Sequence, residues 1–266
     1  MKKTNILKGA QDFTVIGKSG KDCYIYAAKP SLEAQKQLYD ISVSNSEDKN
    51  IDAFQRCWKF DEQKGIRGSS VFLALRFDKL ALRPNGLSIP GLLEAKVLEK
   101  QGKLENGVYR DYGITICNEQ SPNQEIAQRL ISQAKNLGLS LPLIVPFRAL
   151  DYITEDGKVT FFILDSIEGV IAGKKAQRMI DSLDYQGNLG VQGLVRGRSG
   201  YWYADWDVLD YSTGGGRVDW ICGEATKQNL ERAVSEDIDK EARAKTNELN
   251  TKIANSKEVA LKVLRS

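Results

Sequence analysis

The sequence predicts an α+β protein with a mixed, largely antiparallel sheet, packed helices and a long C-terminal helix. Strand-like and helix-like segments follow one another without the strict alternation that a doubly wound parallel sheet requires. Short turns containing glycine join several strand-like pairs, which favours antiparallel hairpins. From residue 226 onward the chain has neither proline nor glycine and carries one narrow apolar stripe, which indicates a long helix.

The first third of the chain contains strand and helix patterns separated by turns. Residues 13–16 and 23–27 flank a glycine-rich turn and predict a hairpin. Pro30 and Ser31 open a predicted helix that continues through Tyr39. The apolar run at residues 69–77 has the length and composition of a buried strand, so we predict a strand there.

The middle of the chain mixes both kinds of element. The segment after Gly86 is ambiguous, although Ser88 and Pro90 resemble a helix start. The clearest helix begins at Ser121 and Pro122 and stops at Gly138. The other predicted elements are strands at 108–117, 141–147, 158–164 and 218–222 and a short helix at 173–183.

We predict two parts of unequal size: a mixed α+β domain at residues 1–223 and a helical extension at residues 224–266. A chain of 266 residues can bury one large core. The apolar stripe of the extension is too narrow for a globular core face, so it is a candidate for packing against a second copy of the chain. A structural subunit of a homo-oligomer is therefore one alternative function.

The chain has no histidine, which excludes every mechanism that needs an imidazole. An enzyme built from this sequence would depend on carboxylates, lysine, arginine, tyrosine or cysteine, and Mg²⁺-dependent phosphodiester chemistry fits that set. The four cysteines are dozens of residues apart, so they cannot form a local zinc knuckle and we expect buried free thiols.

The N-terminal sequence and the net charge limit the expected location and partners of the protein. Met1-Lys2-Lys3 is followed by no long apolar run, and the longest apolar stretches are too short for a membrane span, so we expect a cytoplasmic protein without a membrane partner. The net charge of +3 permits contact with nucleic acid but does not require it.

The strongest candidate for a binding surface is the segment 196–217, which combines arginine, tyrosine and tryptophan with flexible glycines. Aromatic rings stack on bases and arginine binds phosphate, and the same residue types dominate contacts between proteins. We therefore predict a non-enzymatic protein that binds single-stranded nucleic acid or a protein partner through Arg196, Arg198, Tyr201, Trp202, Tyr203, Trp206 and Arg217. The alternative is a hairpin whose alternation sends Trp202, Ala204 and Trp206 into the core.

Acidic residues lie within the same segment. Asp205 and Asp207 share one strand face by their spacing and are candidate ligands for a divalent cation. Without a metal, such carboxylates repel phosphates, which counts against plain nucleic-acid binding. Carboxylates facing solvent explain the pattern equally simply.

Glu94-Ala95-Lys96 resembles the acid-x-lysine motif of metal-dependent nucleases of the restriction-endonuclease type. Asp78, sixteen residues upstream, would be the second carboxylate. The resemblance implies that Asp78 and Glu94 hold Mg²⁺ and that Lys96 activates the attacking water. However, the spacing of the neighbouring leucines and valine favours a helix, on which the triplet would be a solvated surface pair.

The segment 168–175 follows a predicted strand and precedes a predicted helix, which is the context of a phosphate-binding loop. It fails as a Walker A motif because its glycines are one residue too close and Lys175 replaces the serine or threonine that binds Mg²⁺. A weaker anion site at Gly173, Lys174 and Lys175 remains a prediction.

Overall fold

The structure is a computed structural model, and the residues that it describes include most of the predicted α+β domain. The described residues are 13–19, 22–27, 31–44, 58–68, 70–85, 87–118, 124–155, 158–186, 190–205, 216–217 and 221–222. The predicted C-terminal helix at 224–266, with its assembly surface, lies outside them.

Five α-helices are described in this part of the chain. They are α1 (Leu32–Val43), α2 (Val71–Phe77), α3 (Leu92–Lys100), α4 (Gln124–Asn136) and α5 (Gly173–Asp181).

The described strands are mostly short. They are β1 (Phe13–Ser19), β2 (Asp22–Ala27), β3 (Lys59–Asp61), β4 (Gly65–Arg67), β5 (Leu87–Ser88), β6 (Arg110–Ile116), β7 (Leu143–Val145), β8 (Leu150–Glu155), β9 (Lys158–Ile163), β10 (Ile171–Ala172), β11 (Tyr185–Gln186), β12 (Val191–Arg196), β13 (Trp202–Asp205) and β14 (Ile221–Cys222).

The central sheet has the strand order β10-β7-β6-β12-β13-β11. Its neighbouring strands are antiparallel except for β11 and β13, which are parallel. A second sheet has the order β1-β2-β14-β5, and β3–β4 and β8–β9 form separate hairpins. The predicted α+β class with a largely antiparallel sheet is therefore confirmed.

Local signals in the sequence produced several of these elements. The Ser31 hydroxyl accepts a hydrogen bond from Ala34 N at 3.1 Å and caps α1, as expected for a serine that precedes a helix. The apolar stripe of α4 is buried, and the helix ends just before Gly138, whose φ of 70° suits glycine. The predicted hairpin at 13–16 and 23–27 is confirmed as β1 and β2.

The predicted strand at 69–77 was wrong, because Val71–Phe77 form helix α2. All seven residues of α2 are buried, so the continuous apolar run fits a helix enclosed by the core as well as it fits a buried strand. The Ser70 hydroxyl accepts a hydrogen bond from Leu73 N at 3.1 Å, which caps the helix. A π-helical turn at Asp78–Leu82 extends it.

The core lies between the central sheet and the helices. A Cβ atom at Gly193 of β12 would come within 3.0 Å of Val71 Cγ2, so glycine allows α2 to approach the sheet closely. Cys117, just after β6, is a free half-buried thiol, and burial raises its pKa. Among the helices that the structure describes, none has the length and apolar character needed to cross a lipid bilayer.

Candidate functional site

The candidate site is built on the turn between β12 and β13, which lies within the predicted binding segment 196–217. Gly197 N donates to Tyr201 O at 2.9 Å and Gly200 N donates to Gly197 O at 3.0 Å, so the turn is tight. A Cβ atom at Gly197 would lie 2.7 Å from the ring of Tyr203, and Gly200 has a φ of 86°. Glycine is therefore required at both positions for these reasons of space and backbone conformation.

Arg196 and Trp202 are cross-strand neighbours at the base of this turn, and both side chains are buried. They share the carboxylate of Glu99 on α3: Arg196 Nε donates to Oε1 at 2.8 Å and Trp202 Nε1 donates to Oε2 at 2.7 Å. The Trp202 ring also packs on Tyr112 of β6, with 5.1 Å between ring centroids. These two predicted contact residues therefore hold the hairpin against α3.

The alternation along β13 agrees with the hairpin alternative at the described positions. Trp202 and Ala204 are buried, whereas Tyr201 is 60% exposed and Tyr203 is half-buried. Trp206 lies outside the described residues. The segment thus divides into an inward part that packs and an outward part that faces solvent.

Arg198 and Tyr201 on the outward part of the turn lie beside the chain that leads into β6, where Tyr109 is located. The exposed Arg198 places its guanidinium 5.1 Å from the centroid of the Tyr109 ring, in a cation–π contact. The carbonyl of Arg198 accepts a hydrogen bond from Gly107 N at 2.7 Å, which anchors the turn to the chain before β6. Tyr201 is exposed on the same turn.

Three arginines from separate parts of the chain, Arg67, Arg110 and Arg217, lie at this end of the central sheet. Gly68, which follows Arg67, donates its N–H to the carbonyl of Gly216, which precedes Arg217, at 3.2 Å. Arg217 N in turn donates to the carbonyl of Tyr109, which precedes Arg110, at 2.9 Å. Arg110 is also the cross-strand neighbour of Arg196. We call Arg67, Arg110 and Arg217 the arginine cluster.

The positive charges of the arginine cluster act on one another. Burial lowers the pKa of Arg217, and the charges of Arg67 and Arg110 lower it further, while Asp61 and Glu105 act in the opposite direction.

The Asp61 carboxylate is already engaged in a turn. Asp61 Oδ1 accepts hydrogen bonds from Gln63 N and Lys64 N, each at 2.9 Å. Its other oxygen lies 3.5 Å from Arg67 Nη1. The Nε atom of Arg67 is buried and has no hydrogen-bond partner among the described residues.

The residues of the nuclease hypothesis lie in different surroundings from those that it requires. The Glu94-Ala95-Lys96 triplet is on helix α3, as the spacing of its apolar neighbours predicted. The expected solvated face was wrong for Glu94, which is fully buried. Lys96 is half-buried with its Nζ 5.9 Å from the centroid of the Trp202 ring, and burial lowers its pKa.

Both carboxylates of that hypothesis accept hydrogen bonds from arginines. Asp78 is fully buried, with its Oδ2 2.5 Å from Arg83 Nε and its Oδ1 accepting from Ile89 N at 2.9 Å. Burial raises the pKa of Asp78, and the charge of Arg83 opposes that rise. Arg148 Nη1 lies 2.7 and 2.9 Å from the two oxygens of Glu94. These contacts are those of ion pairs that join chain segments.

The remaining candidate residues are placed as follows. Gly173 begins α5, and its N–H donates to the carbonyls of Ser140 and Pro142, so it is already satisfied within the fold. Lys174 is exposed and Lys175 is half-buried at the start of the same helix.

The two acids of the metal hypothesis lie at or beyond the end of β13. Asp205 is the last residue of β13, and Asp207 lies outside the described residues. Within the described ranges, no three acidic or cysteine side chains are grouped as metal ligands.

Sequence reasoning found the turn but missed Arg67 and Arg110. They are 43 positions apart (110 minus 67) and belong to different strands, so no local motif links them. One signal was present, because Arg110 begins a strand whose later residues are apolar or small and buried. A charged residue on an apolar strand face is expected to need a polar environment in the fold.

No protein-family model matches the chain, and comparisons with curated proteins and with solved structures find no similar protein. The function must therefore be argued from the site itself.

Proposed function

We propose that this protein is a non-enzymatic binding protein that holds single-stranded nucleic acid on the turn between β12 and β13. The observation that carries the proposal is the exposed combination on this turn: Tyr201 is 60% exposed, and the exposed Arg198 lies over the Tyr109 ring. Bases stack on aromatic and guanidinium planes with about 1–3 kcal/mol per base, and this contact does not depend strongly on sequence.

A single strand fits this surface better than a duplex does. The bases of a duplex are stacked on each other, so their flat faces cannot reach a tyrosine ring, whereas the bases of a single strand are free to do so. The adjacent arginine cluster supplies positive charge for the phosphates, which dominate affinity for nucleic acids. The overall charge of +3 agrees with a local rather than a general basic surface.

The objection from Asp205 is weakened by the position of its backbone. Asp205 is paired in register with Gly193, at the opposite end of the hairpin from the pair Arg196 and Trp202. Three strand residues span about 10 Å, which is comparable to the screening length in physiological salt. The backbone of Asp205 is therefore well separated from the turn.

The test is fluorescence anisotropy of a labelled oligodeoxythymidine titrated with the full chain at several salt concentrations. We expect Tyr201→Ala to weaken binding about fivefold or more, because one stacked base is lost. Arg198→Ala is expected to reduce the slope of log K against log salt by about 0.7, the value for one phosphate contact on a single strand.

Matched controls are available on distant elements. Ile153 on β8 is also an exposed apolar residue, and Arg129 on α4 carries the same charge as Arg198. Ile153→Ala and Arg129→Ala should bind as the unchanged protein does. Absence of binding, or equal affinity for all four variants, contradicts the proposal and favours a protein partner for the same exposed residues.

A further inference from the structure

A pair of aromatic rings from helix α1 and strand β3 forms a surface that the proposed function does not use. Tyr39 on α1 and Phe60 on β3 are both half-buried, and their ring centroids are 5.9 Å apart with an angle of 43° between the ring planes. Each ring keeps part of its surface accessible to solvent. Two rings inclined in this way can contact one small group from different sides.

The ammonium of Lys36 lies against both of these rings. Its Nζ atom is 6.0 Å from the ring centroid of Tyr39 and 5.7 Å from that of Phe60, within the range of a cation–π contact. The same atom is 2.5 Å from Oδ1 of Asp40, one helical turn further along α1. The surface thus holds a positive charge between two aromatic rings and one carboxylate. We call Tyr39, Phe60 and Asp40 the cation site.

The core holds the aromatic side of the cation site in place. The buried Trp58 stacks on Tyr39, with 6.1 Å between the ring centroids and 26° between the ring planes. Trp58 is itself fixed, because its Nε1 donates to Ser42 Oγ at 3.1 Å and its ring packs on Phe77 with 5.4 Å between centroids. A site whose walls are already ordered loses little conformational entropy when a ligand binds.

Lys36 is held loosely in this site. Its side chain is 50% exposed and that of Asp40 is 53% exposed, and an exposed ion pair four residues apart on one helix contributes little to stability. Within the described residues, the Lys36 ammonium has no hydrogen-bond partner other than Asp40. A released lysine side chain extends into water, where its ammonium is strongly hydrated. A ligand therefore displaces Lys36 at little cost to the fold.

Lys79 shows how a firmly held ammonium differs from that of Lys36. Its Nζ atom lies 4.6 Å from the ring centroid of Tyr152 and 2.7 Å from Oδ1 of Asp151. It also donates to the backbone carbonyl of Tyr152 at 3.0 Å. Because Tyr152 is 4% exposed, a ligand cannot reach its ring. The cation site differs in that both of its rings are partly exposed.

We propose that Tyr39, Phe60 and Asp40 form a binding site for a small organic ammonium ion, which displaces Lys36 when it binds. A quaternary ammonium suits the site best, because its methyl groups contact the ring faces and it has no N–H groups that would keep it hydrated. The carboxylate of Asp40 supplies the opposite charge. None of these residues belongs to the turn between β12 and β13, so the inference does not rest on the proposed function.

The experiment is an NMR titration of the full chain with choline chloride, with sodium chloride at equal ionic strength as the reference. We expect saturable binding by the unchanged protein and binding at least about threefold tighter in Lys36→Ala, because the competing ammonium is removed. Lys79→Ala is the matched control, since it removes a lysine from a buried ring and a carboxylate, and it should bind choline as the unchanged protein does. The neutral isostere of choline, with carbon in place of nitrogen, should bind at least about threefold more weakly than choline.

Two further variants test the walls of the cation site. Phe60→Leu keeps an apolar side chain but removes one aromatic face, and should weaken choline binding about two- to fivefold. Asp40→Asn removes the carboxylate and should weaken choline binding about twofold or more. Because Asp40 is exposed, this variant tests the site even if Phe60→Leu does not fold. Circular dichroism of each variant shows whether the fold is kept.

Three results would overturn the inference. The first is absence of saturable choline binding by the unchanged protein, even if Lys36→Ala binds, because the site would then serve Lys36 alone. The second is equal affinity for choline and its neutral isostere. The third is unchanged affinity in both Phe60→Leu and Asp40→Asn. Tyr201→Ala should leave choline binding unchanged, which separates this site from the base-stacking surface and from the outcome of the proposed function.

A peptide that carries trimethylated lysine identifies the source of the cation. Binding of this peptide at least about tenfold tighter than that of choline, and weakened in Asp40→Asn, supports the site and assigns the ammonium to a side chain of a protein partner. Peptide binding equal to or weaker than that of choline supports the site as one for a free small cation.

Discussion

Two groups of arginines in this protein differ in how their charges are compensated. Arg83 and Arg148 each contact a fully buried carboxylate, that of Asp78 and that of Glu94 respectively. Arg83 also donates to two backbone carbonyls, so its donors are used within the fold. In contrast, Arg198 is exposed on the turn between β12 and β13, and its guanidinium lies over the ring of Tyr109 rather than against a carboxylate.

The difference separates charges that stabilise the fold from charges that are available to a ligand. A buried ion pair with a carboxylate for each arginine leaves little to attract another anion, and breaking it exposes one charge to a low dielectric. An exposed arginine keeps its charge in water, where an anion can reach it. Residue type alone does not make this distinction, because all of these side chains are arginines.

The largest expected effect on stability is at the arginines that pair with buried carboxylates. Arg148→Met leaves the buried Glu94 carboxylate without its ion-pair partner and should lower the free energy of unfolding by about 3–5 kcal/mol. Guanidinium chloride denaturation measures this loss. Arg129→Met, which breaks an exposed pair with Glu125 on α4, should cost less than about 0.5 kcal/mol. A loss of less than about 1 kcal/mol for Arg148→Met would contradict the structural role of the pair.

A smaller effect is expected at the base of the turn. Trp202→Phe removes the indole N–H that donates to the Glu99 carboxylate and should cost about 1–3 kcal/mol in the free energy of unfolding. Tyr201→Phe, one residue away on the exposed side, should change it by no more than about 0.5 kcal/mol. The same denaturation experiment compares both. Equal losses would contradict the division of the segment into inward and outward residues.

The smallest expected effect is the pH dependence contributed by Asp61. The hydrogen bonds from Gln63 N and Lys64 N, together with nearby positive charges, lower its pKa below the ordinary value of 3.8. The carboxylate therefore stabilises the folded state above pH 3.8, and this contribution is lost as the pH falls through the lowered pKa. The thermal midpoints of the unchanged protein and Asp61→Asn should converge on acidification. A constant difference at all pH values would contradict this origin.

Much of the secondary structure was predictable because its signals are local. The serine before α1, the apolar stripe of α4 and the turn between β1 and β2 each depend on neighbouring residues. The alternation at 201–204 likewise predicted that Trp202 and Ala204 face the core, as one of two alternatives. Helix α2 was missed because a segment buried on every side has no periodicity that separates a helix from a strand.

The candidate site was predictable only in part. Arg198, Tyr201 and Arg217 were found because they are concentrated in one segment that is rich in aromatic residues and arginine. Arg196 was assigned to the same surface, but its guanidinium is buried against Glu99, which lies on a helix 97 positions earlier. Such a pairing cannot be inferred from the spacing of residues within one segment.

The sequence by itself determined the α+β class, several helix caps and hairpins, and the absence of imidazole chemistry, because composition and short-range periodicity suffice for these. Only the tertiary structure decided which arginines pair with buried carboxylates and which face solvent. That distinction depends on which carboxylates the folded chain brings within a few ångströms, and on how far burial removes the screening by water. Arg83 and Arg148 pair with Asp78 and Glu94, whereas Arg198 of the predicted binding segment is exposed.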